Sequence, residues 1–329
     1  MKHLSRKFIW FIFSAGIILG ALSGLYFYKK SHPAISVVMA VYNSEEYLDD
    51  NITSVLNQTF EDFEFIIVND ASTDNSQQII DKYAASDKRI RTFQNTKNSG
   101  AAATRNEGLK HIRGKYTLVI DSDDALMPNT LKTSYLFAEH DNLDIFIFCP
   151  IAFNEQTKEF ESLPVLNKKY IQKKHLRIFN LTDFYDRTFQ LTLYQAWNKF
   201  IRTDLIKKNN LHFVAHKFYD DTYFSFMAIM YAKRISFTWE QLYIYRINRK
   251  GSQSDKFSDT AKMLGKLEVA KVIFQEMQKR NFPTVSYYRM IQWLKEENHP
   301  LAEPEAITAT NNFMADIRAY ISLRAESAN

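Results

Sequence analysis

From Ile35 onward the chain alternates short apolar runs with stretches in which apolar residues recur every three or four positions. ISVVMAV (35–41), FEFIIVN (63–69), RIRTF (89–93), KYTLVI (115–120) and DIFIFC (144–149) have strand length and are largely apolar. Between them, NSEEYLDDNITSVLNQ (43–58) gathers Tyr47, Leu48, Ile52, Val55 and Leu56 on one helical face. TDNSQQIIDKYAA (73–85) does the same with Ile79, Ile80 and Tyr83, and SGAAATRNEGLKHI (99–112) and PNTLKTSYLFAEH (128–140) complete the series. Asn43 is placed to cap the first helix with Glu46 reaching back to it, and Pro128 to open the last.

Apolar strands alternating with helices predict an α/β fold, a mostly parallel sheet flanked by helices on both faces. Such sheets bind ligands beyond the carboxyl ends of their strands. Asn69–Asp70 and the acids of YTLVIDSDDALMPN, Asp121, Asp123 and Asp124, both fall at strand ends and should face one crevice. Residues 150–180 read as an irregular basic insertion. Shorter elements resume at Leu181, and after Ser254 the pattern is helical, with Met263, Leu267, Ala270, Ile273 and Phe274 at helical spacing.

The N-terminus breaks this pattern. FIWFIFSAGIILGALSGLYFY, Phe8 to Tyr28, carries no charge and as a helix spans roughly 30 Å, the thickness of a bilayer core. It exceeds the apolar region of a cleaved signal peptide, so a retained anchor is expected. Lys2, Arg6, Lys7, Lys29 and Lys30 flank it and account for the whole net charge of +5. Anionic lipid headgroups would attract those flanks, while the remaining chain is charge-balanced, which points away from a nucleic-acid partner. Gly16, Gly20 and Gly24 form a stripe through which two such spans could pair as a homodimer. The single cysteine, Cys149, excludes an internal disulfide and fits a reducing compartment.

Three carboxylates beside a buried strand repel one another unless a cation or hydrogen-bond donors hold them. The residues alone leave three readings: a metal site, a helix-capping turn, or a solvated turn. A calcium loop of the EF-hand type is a weak reading, because Leu126 stands where that loop needs glycine.

The order of motifs settles more. VVMAVYNSEEYLDDNITSVLNQTFEDFEFIIVNDASTDNS, NSGAAATRNEGL, LVIDSDDALMPN, WNKFIRTDL and FYDDTYF resemble, in register, the family 2 glycosyltransferases of the GT-A fold, over about residues 35–255. The resemblance implies that Val41, Tyr42 and Asn43 form the first nucleotide-contacting turn and that Asp70 accepts a hydrogen bond from the base. It implies that Asp121 and Ser122 lie near the donor's ribose and that Asp123, with Asp121, holds Mn²⁺ or Mg²⁺ on the diphosphate. Arg105 would face the nucleotide. Asp221 aligns with the general base of an inverting transfer, and Trp197, Asn198, Lys199 and Asp220 fall on the acceptor side. Arg246 and Ser252–Ser254 resemble a late loop near the diphosphate. The pattern departs at Ala40 (often proline), Asn69 (often aspartate) and Ala71 (often glycine); alanine is costly at that last position if its φ is positive.

The resulting expectation has three parts: a basic flank and transmembrane anchor (1–30), a GT-A catalytic domain (31–255) and a helical C-terminal appendage (256–329). It is a metal-dependent enzyme that moves a sugar from a nucleotide sugar, a UDP-sugar by the resemblance, to a saccharide or lipid-linked acceptor. A bacterial inner membrane with the catalytic part on the cytoplasmic side is the expected location; a Golgi-lumenal arrangement is the alternative. A catalytically silent, membrane-tethered sugar-nucleotide-binding module is the rival function, separated from the enzyme by whether Asp121, Asp123 and Asp221 converge.

Overall fold

The computed structural model describes residues 32–163, 177–180, 195–215, 219–249, 258–296 and 302–326. The expected anchor Phe8–Tyr28, its glycine stripe and Ser252–Ser254 lie outside these residues. Among the described residues no helix is long and apolar enough to cross a membrane.

Strands β1 (Ile35–Val41), β2 (Phe63–Asn69), β3 (Ile90–Gln94) and β4 (Tyr116–Asp121) fall where the apolar runs place them. They alternate with helices α1 (Glu45–Leu56), α2 (Ser76–Ser86) and α3 (Ala101–Lys110). These four strands pair in parallel in the order β3-β2-β1-β4. After β4 come the two-residue β5 (Ala125–Leu126), α4 (Thr130–His140), β6 (Ile145–Asn154) and β7 (Glu159–Glu161). Then follow β8 (Lys199–Arg202), α5 (Thr203–Lys208), α6 (Asp220–Tyr231) and β9 (Ile235–Ile247).

The full sheet runs β3-β2-β1-β4-β8-β6-β9-β5, with β7 hydrogen-bonded to β6. It is less parallel than the alternation of elements predicts. β8 enters antiparallel to both β4 and β6, and β5 and β7 are also antiparallel to their partners. Only β6–β9 is parallel in this half. The N-terminal half, β1 to β4, thus follows βαβ rules, while the half beyond β4 is built by long excursions that return from the other direction. The stretch expected to be irregular from residue 150 begins instead as the continuation of β6 through Asn154.

Side chains of β1 alternate between two cores. Val38 joins Ile66, Val68 and Val119 on one face, whereas Val37, Met39 and Val41 meet Leu48, Ile52 and Val55 of α1 on the other. α3 lies close to the sheet because Gly108 has no side chain: a Cβ there would stand 2.4 Å from Val38 Cγ1.

The C-terminal helices α7 (Asp259–Lys279), α8 (Thr284–Glu296) and α9 (Pro304–Glu326) pack on the rest of the chain. Leu267, Ile273, Trp293, Phe313 and Ile321 belong to the same apolar cluster as Phe224 and Phe226 of α6 and Val38 of β1. Trp293 is fully buried, edge-on to Tyr219 and tilted against Phe226. One core therefore runs from the sheet through α6 into the tail.

Candidate active site

Two loops at the carboxyl ends of β1 and β2 interlock. Asn43 adopts φ 48°, and its Oδ1 accepts from Thr73 N at 2.8 Å while its own N–H donates to Ser72 Oγ at 3.0 Å. It does not cap α1, whose first helical residue is Glu45. The caps are exchanged between helices instead: Glu45 N donates to Asp74 at 3.0 Å, and Asn75 N donates to Glu45 at 2.8 Å. Each helix start thereby receives an anion from the other.

Val41 is a core residue rather than a donor contact. It is fully buried, and its carbonyl accepts from Asp70 N at 2.8 Å. Tyr42, one residue on, is 44% exposed and open to a planar ligand. Asp70 is 2% exposed. It accepts from Asn95 Nδ2 at 2.7 Å, Ser99 N at 2.9 Å and Gly100 N at 2.8 Å, holding the start of α3 against β2. Those bonds occupy most of the acceptor positions of a carboxylate. Asp70 thus first holds the loop that opens α3, with one lone pair left on Oδ2. Ala71 adopts φ 55°, the left-handed region where glycine costs least.

The turn after β4 is fastened from three directions. Asn51, fully buried on α1, donates to both Asp121 O and Asp124 O at 2.8 Å. Tyr243 OH donates to Asp124 Oδ2 at 2.8 Å and accepts from Asp121 N at 3.2 Å. Arg246 donates from its backbone to Asp124 Oδ1 and from Nε to Asp123 O, each at 2.8 Å. Asp124 is therefore the structural acid of the three. Burial and the charges of Asp123 and Asp121 raise its proton affinity well above the ordinary range, against the pull of Arg246 and Tyr243. Asp121 and Asp123 remain partly exposed, and Ser122 Oγ lies 2.7 Å from Ser44 Oγ at the same lip. Burial first, then the charge of Asp121, raises Asp123; Arg249, ion-paired with it, acts in the opposite sense.

Arg105 points from α3 into the crevice and joins two acids. Nη2 lies 2.7 Å from Asp121 Oδ1 and Nη1 lies 2.6 Å from Asp220 Oδ2. Burial opposes its charge, but Asp220, Asp121 and Asp221 outweigh that and raise its proton affinity. α6 is buried along almost its whole length, so only its first turn, with Asp220 and Asp221, reaches the crevice. The residue before that turn, Tyr219, is in the left-handed conformation (φ 59°). Asp221 is partly exposed and accepts from Ala196 N at 3.3 Å. Burial and the charge of Asp220 push it up to about 7.

On the expected acceptor side, Trp197 is 3% exposed, stacked on Tyr243 (4.6 Å) and Tyr245 (5.4 Å), so it presents no face to a sugar. Asn198 and Lys199 are fully buried beside it. The residue before them, Ala196, donates its backbone N–H to Asp221. The pattern of the sequence did not single out Asn51, Tyr243 or Arg249. Asn51 carried a signal, a polar residue on the face shared by Leu48, Ile52 and Val55.

Sheet order and gathered strand-end acids define the GT-A class of α/β proteins. The model of glycosyl transferase family 2 matches residues 36–216, and the chain belongs to that family. It is 33% identical over 219 residues to the putative glycosyltransferase EpsH of Bacillus subtilis (strain 168), covering 66% of this chain and 61% of that one. It spans less than two thirds of the length of other curated relatives as well. The fold is similar to that of S. aureus TarS 1–349 in complex with UDP-GlcNAc (TM-score 0.68, 23% identity, 86% of this chain and 80% of that one). It is also similar to the mannosyltransferase PcManGT from Pyrobaculum calidifontis in complex with GDP-Man and Mn²⁺ (TM-score 0.57, 13% identity, 90% and 80%).

Proposed function

We propose that this chain is an inverting glycosyltransferase that moves a sugar from a nucleotide-sugar donor to a saccharide or lipid-linked acceptor in cell-surface glycan synthesis. One observation carries the reading. The Asp121–Arg105–Asp220 chain of ion pairs joins the strand-end acids to the acids of α6 around a single crevice. That convergence favours an enzyme over a silent binding module, and the family relationship supports the substrate class.

A divalent cation fits the residues present. Asp121 and Asp123 offer hard oxygen donors only, and their mutual repulsion raises Asp123, a strain that a cation relieves. A Mn²⁺ or Mg²⁺ held by one or two carboxylates would complete its shell with donor phosphates and water. When bound, the cation offsets the charge that grows on the leaving diphosphate. The Mn²⁺ in the Pyrobaculum relative supports the same use here.

The chain's own residues do the rest. Tyr42 is free to stack on the base, with UDP favoured by the TarS likeness. Asp121 and Ser122 line the ribose side. Asp221 takes the proton of an acceptor hydroxyl as that oxygen bonds to the anomeric carbon and the bond to the diphosphate oxygen breaks. Its raised proton affinity, near neutrality, suits a base that must pick up a proton and release it again. We place the anchor, residues 8–28, in a bacterial inner membrane with the site on the cytoplasmic side, and Gly16, Gly20 and Gly24 at a homodimer contact.

A thermal-shift screen of nucleotide sugars, each with and without Mn²⁺, tests the reading. At least one nucleotide sugar should stabilise the protein, more so with the cation. A screen in which none does so overturns it.

A further inference from the structure

The side of α1 that faces the turn after β4 is polar at steps of three and four residues, the spacing of one helical face. Asn51, Ser54 and Gln58 meet the following segment in chain order. Asn51 Nδ2 donates to Asp121 O and Asp124 O, and Ser54 Oγ accepts from Leu126 N at 3.0 Å. Gln58 Nε2 donates to Met127 O at 2.8 Å, and its Oε1 accepts from Leu131 N at 2.9 Å. Every one of these contacts is to a main-chain atom. The carboxylate oxygens of Asp121 and Asp123 are therefore not used by α1.

Asn51 differs from the other two. It is fully buried, yet its Oδ1 finds no hydrogen-bond partner. A buried acceptor left without a donor costs stability, so its presence calls for a reason. The other end of the same amide supplies one. A single nitrogen lies 2.8 Å from the carbonyl oxygens of Asp121 and of Asp124, the two ends of the turn that carries Ser122 and Asp123. Those oxygens bear like partial charges and stand close together away from water, an arrangement that a shared donor makes favourable. A second bond to the Asp121 carbonyl, from Asp124 N at 3.4 Å, is much longer.

We propose that Asn51 is a positioning residue for the divalent cation. By holding both ends of the turn, it sets the separation of the Asp121 and Asp123 carboxylates and so the affinity for Mn²⁺ or Mg²⁺. The inference rests on the proposed cation site. Groups that orient metal-binding side chains from behind change metal affinity by about 10–100-fold when removed. Tyr243 and Arg246 still grip Asp124 when Asn51 is replaced, so the turn keeps its place while losing its hold on the Asp121 carbonyl.

Calorimetry of the full-length chain in detergent, with UDP as the probe in Mn²⁺ and in EDTA, tests this. Mn²⁺ should tighten UDP binding to the wild type. Asn51→Leu keeps the side chain's bulk among Leu48, Ile52 and Val55 and removes the orphaned oxygen. Its UDP affinity in EDTA should stay within about twofold of wild type, while the Mn²⁺ concentration needed for half of the cation-dependent gain should rise by about tenfold or more. A folded Asn51→Leu variant with the wild-type Mn²⁺ requirement overturns the proposal. So does an equal loss of UDP affinity with and without Mn²⁺, which would make Asn51 a residue of the fold alone. Should Asn51→Leu fail to fold, Asn51→Ser replaces it, because a hydroxyl donates one hydrogen where the amide donates two. Its Mn²⁺ requirement should also rise, and an unmoved value overturns the proposal equally. Wild-type binding of UDP that Mn²⁺ leaves unchanged is a different result: it removes the cation site itself and overturns both readings.

Discussion

Arg105 Nη1 lies 2.6 Å from Asp220 Oδ2, tying helix α3 to the first turn of helix α6. With its second ion pair, to Asp121, it brings the strand-end acids and the α6 acids to one crevice. Since Arg105 is committed to Asp121 and Asp220, its neighbour Asp221 is left as the carboxylate able to take a proton. Replacing Asp221 by Asn should leave donor affinity within about twofold and lower the transfer rate by about 10²-fold or more. In the wild type, kcat/KM should fall as pH drops through about 7, because protonated Asp221 cannot act as a base. A pH–rate profile flat between pH 6 and pH 8 would contradict this, with those limits set roughly one unit either side of neutrality.

Asp123→Ala should weaken Mn²⁺-dependent binding of a nucleoside diphosphate by about tenfold or more, since the proposed cation site loses a hard oxygen donor. Calorimetry with UDP reads this directly. Chelating the metal from the wild type should reproduce the loss, and chelation should change the variant little. Wild-type affinity in Asp123→Ala sinks the metal assignment.

Ala71 sits at φ 55°. A left-handed alanine costs about 1–2 kcal/mol, while glycine costs about 0.5–1 kcal/mol through the entropy of the unfolded chain. Ala71→Gly should therefore stabilise the protein by about 0.5–1 kcal/mol in urea unfolding. A loss of stability would mean that the alanine methyl makes a contact worth more than the strain.

Glu64 lies at the end of the sheet opposite the crevice and is 3% exposed. It accepts from Ser36 Oγ at 2.7 Å, Arg91 Nη1 at 2.7 Å and Arg113 N at 2.8 Å. Burial alone would raise its proton affinity, but these bonds outweigh burial and hold the carboxyl below its ordinary value. The stability it contributes is full above the unfolded-state value of about 4.3 and is lost as pH falls through the lower folded-state value. Glu64→Ala should cost about 3 kcal/mol at neutral pH, and much less at low pH, because it strands the donors of a buried anion. Equal destabilisation at both ends of a pH series of melts would show that packing, not charge, is what Glu64 supplies.

The N-terminal half was legible because its information is local. β1, β2 and β4 are largely apolar runs of strand length, and α1 shows its buried face in the spacing of its own residues. The half beyond β4 was not. β5 is two residues long and exists through pairing with Ile244 and Tyr243, and β8 takes its direction from neighbours far along the chain. Acids could be located because they end strands. Their supports were harder to find: Tyr243 reads as an ordinary strand residue until Asp124 appears beside it. Trp197 shows the same dependence on distant partners: that Tyr243 and Tyr245 cover its ring is set by β9, far along the chain. Asn43 looked like a cap by spacing, but its left-handed backbone turns its side chain to the neighbouring loop.

Phe224 and Phe226 share their apolar surroundings with Trp293, Phe313 and Ile321. Anyone exchanging acceptor specificity between relatives must respect that packing. A chimera joined between β9 and α7 would pair a borrowed tail with a foreign α6 and spoil the scaffold that aims Asp221. The transplantable cassette runs from α5 to the end of α9, because the helix that bears the acid and the helices that brace it were fitted to each other.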